Sequence, residues 1–284
     1  RAIAESKRMT LPLAAAMPQP GQAISAANIR KIMADSAIRA SHDVEECPRV
    51  QDAYSLRCSP QVAGGVRDTV DHAARVAGWE LASAVDNPVV TLEGRVESNG
   101  NFHGAPVAYA LDFLAIVAAD LASISERRTD RFLDKARNHG LPPFLADDPG
   151  VDSGHMIAQY TQAAIVSELK RLASPASVDS ILSSAMQEDH VSMGWSAARK
   201  LRRSVDGLAS VLAVEVLTAS RGLQLRAPLT PAPATGAVVD ALLAADASRP
   251  GTDRWLAPEI DTAYRLVVDG TVRAAAEAHT GPLN

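Results

Sequence analysis

The sequence VAYALDFLAIVAADLASI, residues 107–124, decides the fold class of this chain. Its apolar side chains recur at every third or fourth position, at Val107, Leu111, Leu114, Ala118, Leu121 and Ile124. That period places them on one face of an α-helix, which we expect to run to about Asn138. A helix of this length must bury its apolar stripe against other helices, so the stretch predicts a helical bundle.

The same helical spacing recurs on both sides of this stretch. It predicts helices at about 25–42, 62–85, 155–172, 237–247 and 257–276, and a second long helix through Leu201 and Val216 that ends near Gly222. Residues 89–98 predict a short β-hairpin. The predicted fold class is therefore mainly α, a bundle of long antiparallel helices with one small β-hairpin.

Pro and Gly residues divide the chain into three predicted parts. Residues 1–23 form an irregular lead-in, 24–228 a helical-bundle domain, and 229–284 a looser helical tail. Within the bundle domain, Gly64-Gly65 lacks the pattern of a phosphate-binding loop. It is interpreted as a point of close packing or a helix start.

The composition excludes several classes of protein. Apolar residues make up 47% of the 284 residues and aromatic residues only 4%, which predicts a core of Ala, Leu and Val. A net charge of −5 argues against a nucleic-acid surface. Cys47 and Cys58 form no Cys-x-x-Cys pair, and the seven His residues form no His-x-x-x-His, so we expect no metal. No apolar run predicts a membrane span.

A first group of candidate residues lies in Gln51-Asp52-Ala53-Tyr54-Ser55-Leu56-Arg57-Cys58. In a helix, Gln51, Tyr54 and Arg57 would share one broad face. A guanidinium can bind a carboxylate with two hydrogen bonds, and a buried phenol can exchange a proton. On spacing alone, a core Tyr beside a surface Arg is the simpler interpretation.

Three further motifs carry candidate residues, each with a simpler alternative. Asn87, in Asp86-Asn87-Pro88, would bind a carboxylate through its amide, or merely end a helix with an Asx-turn. Phe102 would line a pocket, or pack inward. Gln187 and Glu188, in Gln187-Glu188-Asp189-His190, would belong to a catalytic site, or cap a helix N-terminus.

Together and in this order, the motifs resemble the histidine ammonia-lyase family. The stretches that carry the resemblance span about Pro20 to Pro228, beyond which it fades: 49–58, 86–88, 100–103, 140–144, 175–180 and 187–193. Met186 departs from the Asn that many relatives have before Gln-Glu-Asp. The related fumarase and argininosuccinate lyase group shares the bundle, but its Gly-Ser-Ser signature is missing here.

The resemblance implies a fold, an assembly and a cofactor. The fold is that of the fumarase/aspartase-like superfamily, and the enzyme is a cytoplasmic homotetramer whose active sites draw residues from several subunits. The family's electrophile is 4-methylidene-imidazol-5-one, made by cyclising an internal Ala-Ser-Gly. That tripeptide is absent from this sequence, and Asp152-Ser153-Gly154 is the nearest to it. The chain therefore resembles the C-terminal portion of the family, and the electrophile belongs to the missing N-terminal part.

The resemblance also assigns roles. Tyr54 and Glu188 are the expected catalytic residues, and which of the two takes the proton stays open. The expected substrate-binding residues are Arg57, Asn87, Gln51, Phe102 and Gln187. Arg57 would hold the substrate carboxylate with help from Asn87, and Phe102 would pack beside the electrophile.

The expected function is part of an ammonia-lyase, with an amino acid substrate and neither nucleic acid nor membrane as a partner. Conversion of histidine to urocanate and ammonia, in histidine catabolism, is favoured because Asp189-His190 follows Glu188. A tyrosine or phenylalanine ammonia-lyase, or an aminomutase, is the alternative, and a non-catalytic helical subunit is a further one. This chain alone is expected to be inactive, because it lacks Ala-Ser-Gly.

Overall fold

A computed structural model describes residues 17–42 and 51–284. Two predictions fall outside those residues: the first sixteen residues of the lead-in and the loop that holds Cys47. In the part of the chain that the structure describes, the α-helices are α1 Pro20–Ile32, α2 Ala37–Ala40, α3 Tyr54–Arg57, α4 Ser59–Leu81, α5 Ala105–Leu133, α6 Met156–Leu172, α7 Gly194–Gln224, α8 Pro233–Ala244, α9 Ala257–Val268 and α10 Thr271–Thr280. The mainly α fold class is confirmed.

The predicted hairpin is present but short. Strand β1 (Val89–Val90) pairs antiparallel with β2 (Val96–Glu97). Thr91 N donates to Arg95 O, and Gly94 closes the turn with a φ of 76°. The hairpin lies in the connection between α4 and α5.

Helices α4, α5, α6 and α7 form the bundle. Ala73 of α4 packs with Ala110 near the start of α5. Ser55, just before α4, binds Arg128 near the end of α5, so α4 runs antiparallel to α5. Helix α6 is also antiparallel to α5, because Gln159 Nε2 donates to Glu126 Oε1 near the end of α5. These pairs have the predicted antiparallel arrangement.

Helices α5 and α7 instead run parallel. Lys200 Nζ donates to Asp112 Oδ1 (2.7 Å) near the start of both helices, and Arg128 Nη2 donates to Glu215 Oε2 (2.8 Å) toward the end of both. Both loops that precede these helices therefore lie at the same end of the bundle, which matters for the site below.

Small side chains allow the helices to pack closely. The central cluster joins α5, α6 and α7 and consists of Ala119, Ala122, Val166, Leu169, Leu172 and Val211. The prediction of close packing holds for Gly64, where an added Cβ would lie 2.4 Å from the backbone nitrogen of Gln22 on α1. It does not hold for Gly65, whose face is open.

Helix α5 is long and apolar enough to cross a membrane by length and composition, so the expectation that no apolar run predicts a membrane span is wrong by that criterion. Its position in the bundle is that of a core helix. Its buried Asp112 carboxylate accepts hydrogen bonds from Lys200 Nζ and from Ser177 N at 2.7 Å. Burial raises the pKa of Asp112, but the Lys200 ammonium and the Ser177 N–H outweigh burial and lower it.

Several helix ends differ from the predicted positions because side chains cap or interrupt them. Helix α1 begins at Pro20, within the predicted irregular lead-in, since the carboxylate of Asp68 on α4 accepts from Gly21 N (2.9 Å). Helix α5 ends at Leu133, where Asp134 Oδ1 binds Ala136 N. The predicted helix over 257–276 is split into α9 and α10 by Gly270, whose φ is 85°.

The C-terminal helices pack against the bundle. Leu242, Ala247 and Ala263 form a buried cluster with Ala213 and Leu217 of α7. The tail is therefore less loose than expected over 233–280. The division of the chain at residues 23 and 228 stays a prediction.

Candidate functional site

Gln51, Tyr54 and Arg57, here called the α3 group, lie together. The guanidinium carbon of Arg57 lies 4.8 Å from the centre of the Tyr54 ring, and Arg57 Nη1 donates to Gln51 Oε1. The expected shared helix face is wrong, because α3 begins at Tyr54 and Gln51 precedes it. The alternative of a core tyrosine is also wrong, since Tyr54 is 70% exposed.

Helix α3 contacts the centre of the bundle at Arg128, a residue that forms an ion pair between α5 and α7. Ser55 O accepts a hydrogen bond from Arg128 Nη1 (3.4 Å), and the Arg128 guanidinium pairs with Glu215 on α7. Ser125 Oγ donates to the same carboxylate (2.5 Å). One contact that holds α3 thus belongs to a charged seam between α5 and α7, formed by Arg128, Glu215 and Ser125.

Asn87 is held by the loop that follows the hairpin. Its Oδ1 accepts from Asn99 N (3.0 Å) and from Ser98 Oγ (3.2 Å). Among the described residues, these bonds all engage the carbonyl side of the amide. The NH₂ side is the donor that a carboxylate needs.

Phe102 is exposed beside a pair of stacked histidines. Its side chain is 56% exposed, so the alternative that it packs inward is wrong. The rings of His103 and His190 stack at 5.7 Å with an angle of 5° between them, and His103 Nε2 lies 3.1 Å from His190 O. The stack joins the Phe102 loop to the loop that carries Gln187 and Glu188.

Gln187 and Glu188 belong to an exposed turn and not to a helix cap. Helix α7 begins at Gly194, six residues after Glu188, so the capping alternative is wrong. The Glu188 carboxylate accepts from Ser183 Oγ (2.5 Å). Hydrogen bonds from the hydroxyls of Ser183 and then Ser184 lower the pKa of Glu188, which favours its ionised form.

Asn87, Phe102, Gln187 and Glu188, here called the loop group, lie far from the α3 group. The loop group surrounds the starts of α5 and α7, whereas α3 contacts Arg128 near the end of α5. Arg128 is about 35 Å along the helix from Ala105, at roughly 1.5 Å per residue. Within one chain, the predicted residues therefore form two separate groups.

The segment Asp152-Ser153-Gly154 does not fit the electrophile implied by the resemblance. Ser153 N and Gly154 N both donate to the Asp253 carboxylate, at 2.6 and 2.8 Å. An added Cβ at Gly154 would lie 2.5 Å from Phe144 O, so the backbone there is tightly enclosed. The cyclisation would need the Gly154 nitrogen, which this structure uses to bind Asp253.

A buried polar cluster beside that segment was not predicted from the sequence. His155 Nδ1 lies 3.2 Å from Thr218 Oγ1, and Arg221 pairs with Asp147. Burial, followed by the charges of Arg221 and Arg254, lowers the pKa of His155 to about 4. His155 is therefore neutral at pH 7. Over the described residues, no cluster of His, Cys, Asp and Glu is suited to hold a metal ion.

The residues that fix the candidates in place were not predicted from the sequence. His103 and Ser183 lie within one and five residues of Phe102 and Glu188, so proximity in sequence is a signal that could have found them. Arg128 and Glu215 lie in long helical patterns, far in sequence from Tyr54. Only the packing of α5 against α7 brings them to α3.

Comparison with known proteins extends the resemblance over nearly the whole chain. A sequence profile described as "aromatic amino acid lyase" matches residues 3–244. Histidine ammonia-lyases of Streptomyces griseus and Streptomyces coelicolor are 68% and 67% identical to 95% of this chain. The expectation that the likeness fades beyond Pro228 is wrong.

Solved structures agree with the fold. The crystal structure of histidine ammonia-lyase from Trypanosoma cruzi matches 98% of this chain with a TM-score of 0.84 and 37% identity, and covers 53% of that protein. Tyrosine aminomutase from Streptomyces globisporus matches all of the chain with a TM-score of 0.88 and 33% identity, and 58% of it is covered. The fold class that the resemblance implied is confirmed.

The chain spans about half the length of the curated relatives it matches, 53% in each of the two Streptomyces proteins. The profile match covers far more than half of the present chain. Its motifs, its bundle and these similarities lead to one conclusion. The chain belongs to the aromatic amino acid lyase family.

Proposed function

We propose that this chain is the C-terminal portion of a histidine ammonia-lyase, a carbon–nitrogen lyase that converts histidine to urocanate and ammonia. The observation that carries the proposal is the 68% identity to the histidine ammonia-lyase of Streptomyces griseus over 273 residues. The enzyme is a cytoplasmic protein of histidine catabolism.

Arg57 holds the carboxylate of the amino acid substrate. Its guanidinium has five N–H donors, and the contact with Gln51 engages only Nη1. The ring of Tyr54 lies against the guanidinium and restricts its orientation, as a cation–π contact does. Gln51 and Tyr54 thus prepare a fork that matches a carboxylate, and Asn87 adds an amide donor.

Glu188 acts as an ionised carboxylate. The hydroxyls of Ser183 and Ser184 favour its charged form, so at neutral pH it is an ionised hydrogen-bond acceptor. The same lowered pKa makes Glu188 a weaker base. The positively charged amine or the imidazole of the substrate is the group that such a carboxylate binds. Gln187 lies beside it, and Phe102 offers an exposed ring to the same site. Tyr54 remains the other candidate for the base.

The site is completed by further copies of the chain. The α3 group and the loop group lie at opposite ends of the bundle, too far apart for a small amino acid to touch both within one protomer. In an assembly where the α3 end of one protomer contacts the loop end of another, residues of both groups can line one site. We propose the homotetramer that the family resemblance implies.

The electrophile comes from outside this chain. When present, 4-methylidene-imidazol-5-one activates the amino acid toward loss of ammonia, whereas this chain binds the carboxylate through Arg57 and the positive charge through Glu188. The 284 residues contain no Ala-Ser-Gly, and Asp152-Ser153-Gly154 does not fit. The chain alone is therefore inactive as a lyase.

An aminomutase acting on tyrosine is the second candidate, because the tyrosine aminomutase of Streptomyces globisporus matches the whole chain with a TM-score of 0.88. The complete gene product is offered histidine, tyrosine and phenylalanine in turn, and urocanate, ammonia and β-amino acid are measured. The β-amino acid is needed because an aminomutase moves the amine and releases no net ammonia. Urocanate from histidine alone supports the proposal. Turnover of tyrosine or phenylalanine contradicts it and supports an ammonia-lyase or aminomutase for that substrate. If no substrate is turned over, a non-catalytic helical subunit is favoured. The present chain is the matched control.

A further inference from the structure

Ser183 and Glu188 close a short turn through both backbone and side chain. Ser183 N donates to Glu188 O (3.1 Å), and Glu188 N donates to Ser183 O (3.3 Å), which makes an isolated antiparallel bridge. Ser183 Oγ also donates to Glu188 Oε2 (2.5 Å). The residue that sets the backbone position of Glu188 therefore also binds its carboxylate.

The turn between them has an unfavourable backbone conformation. Ser184, Ala185 and Met186 have φ values of 51°, 53° and 72° in succession, and none of them is glycine. Such left-handed residues persist only where surrounding contacts enforce them, and they concentrate at functional sites. Here the bridge of Ser183 with Glu188 encloses all three.

Other contacts hold the same loop without touching the carboxylate. Val191 N donates to Ser180 Oγ (2.9 Å), and His190 stacks on His103. These contacts fix the backbone after Glu188. The hydroxyl of Ser183 acts on the carboxylate itself, and a carboxylate has acceptor positions left for a second donor.

We propose that Ser183 is a positioning residue, whose hydroxyl orients the Glu188 carboxylate toward the positively charged group of the amino acid substrate. The proposal rests on the proposed function, since it requires that Glu188 acts on the substrate. It also has a consequence for pH dependence. Removing the hydroxyl removes the largest contribution to the lowered pKa of Glu188, so the carboxylate is lost at a higher pH.

The test is the pH profile of kcat/KM for histidine, measured on the full-length enzyme and its Ser183 variants. In Ser183→Ala we expect the acidic limb to move to higher pH, because one hydrogen bond to the charged form of Glu188 is lost. At the foot of that limb, kcat/KM falls about three- to tenfold. Ser183→Thr keeps the hydroxyl and is expected to restore the parent profile. The titration of histidine itself is common to all variants and cancels.

Ser180→Ala is the matched control, because it loosens the loop at Val191 without changing the donors to Glu188. It is expected to lower kcat/KM evenly at every pH. A Ser183→Ala profile that falls evenly, like this control, overturns the proposal and leaves Ser183 a structural residue of the loop. If Ser183→Ala fails to fold, the same pH profiles are compared for Ser183→Thr and Ser183→Val. These two side chains have the same shape, but threonine has a hydroxyl where valine has a methyl group.

Failure of the inference is distinguishable from failure of the proposed function. A parent enzyme that makes no urocanate removes the proposed function and the inference together. A parent enzyme that turns over histidine, with the acidic limb unmoved in Ser183→Ala, removes only the role of Ser183.

Discussion

The α3 group and the loop group are held in different ways. Tyr54 and Arg57 lie on a single helical turn. The backbone of that turn binds Arg128, which forms a partly buried ion pair with Glu215. Asn87, Phe102 and Glu188 lie on loops. Hydrogen bonds within these loops and the stack of His103 on His190 between two of them hold these residues in place. The first group therefore depends on the packing of the bundle, and the second on local hydrogen bonds.

This difference predicts two kinds of failure. Damage to the α5–α7 seam should reduce stability and disturb Tyr54 and Arg57 together. Damage to the loops should change the reaction while the folded state keeps its stability, because the loop residues are exposed and bury little apolar surface.

The largest expected effect tests the carboxylate-binding role of Arg57. In the complete enzyme, Arg57→Lys should lower kcat/KM by about 100-fold, mainly through a higher KM, because an ammonium cannot form the two parallel hydrogen bonds of a guanidinium. Steady-state kinetics with histidine measure it. Arg171→Lys, at an exposed arginine paired with Glu168 on α6, is the control and should leave the kinetics unchanged. Unchanged kinetics in Arg57→Lys would remove Arg57 from the site.

Acid should weaken the end of the bundle that holds α3, through His155. The pKa of His155 is about 4 in the folded state against 6.5 when unfolded, so below pH 6.5 the unfolded state binds the proton first. His155 thereby reduces the free energy of unfolding by roughly 2 to 3 kcal/mol between pH 7 and pH 4.5, and has almost no effect above pH 7. Denaturant unfolding at several pH values measures the loss.

In His155→Asn the side chain at position 155 does not titrate, so the free energy of unfolding should depend less on pH between pH 7 and pH 4.5. His72→Asn, at an exposed histidine on α4, is the matched control and should keep the parent slope. An identical slope in all three proteins would contradict the assignment to His155.

Breaking the seam should destabilise the protein by an intermediate amount. Arg128 and Glu215 have side chains that are only 20% and 16% exposed, so Arg128→Met leaves a largely buried carboxylate without its cation. We expect a loss of about 2 kcal/mol in the free energy of unfolding, below the range for fully buried pairs. Arg171→Met breaks an exposed pair and should cost less than about 0.5 kcal/mol. Equal losses would show that the seam stabilises the protein no more than an exposed ion pair does.

The smallest expected effect lies in the loop group. His103→Ala removes both the stack on His190 and the contact with its carbonyl, and should lower kcat/KM about tenfold with the thermal midpoint unchanged. His103→Phe keeps only the ring and His103→Gln only the donor, so they separate the two contributions. A large fall in the thermal midpoint would place the histidine pair in the same class as the seam.

The sequence by itself determined the helical bundle, the hairpin and the identity of the candidate residues. Apolar residues at every third or fourth position along 107–124 require a buried helix face, whatever packs against it. The order of the motifs around Arg57, Asn87 and Glu188 indicated the family, which the comparisons confirmed. Such signals involve residues close together in the chain, so they can be recognised from the sequence alone.

Only the tertiary structure decided where these residues lie and what holds them. The sequence placed Gln51, Tyr54 and Arg57 on one helix, yet a side-chain contact and not a helix unites them. Helix ends such as the start of α1 depend on distant caps like Asp68. The parallel course of α5 and α7 separates the two groups by the length of a helix, because that distance depends on packing between segments far apart in the chain.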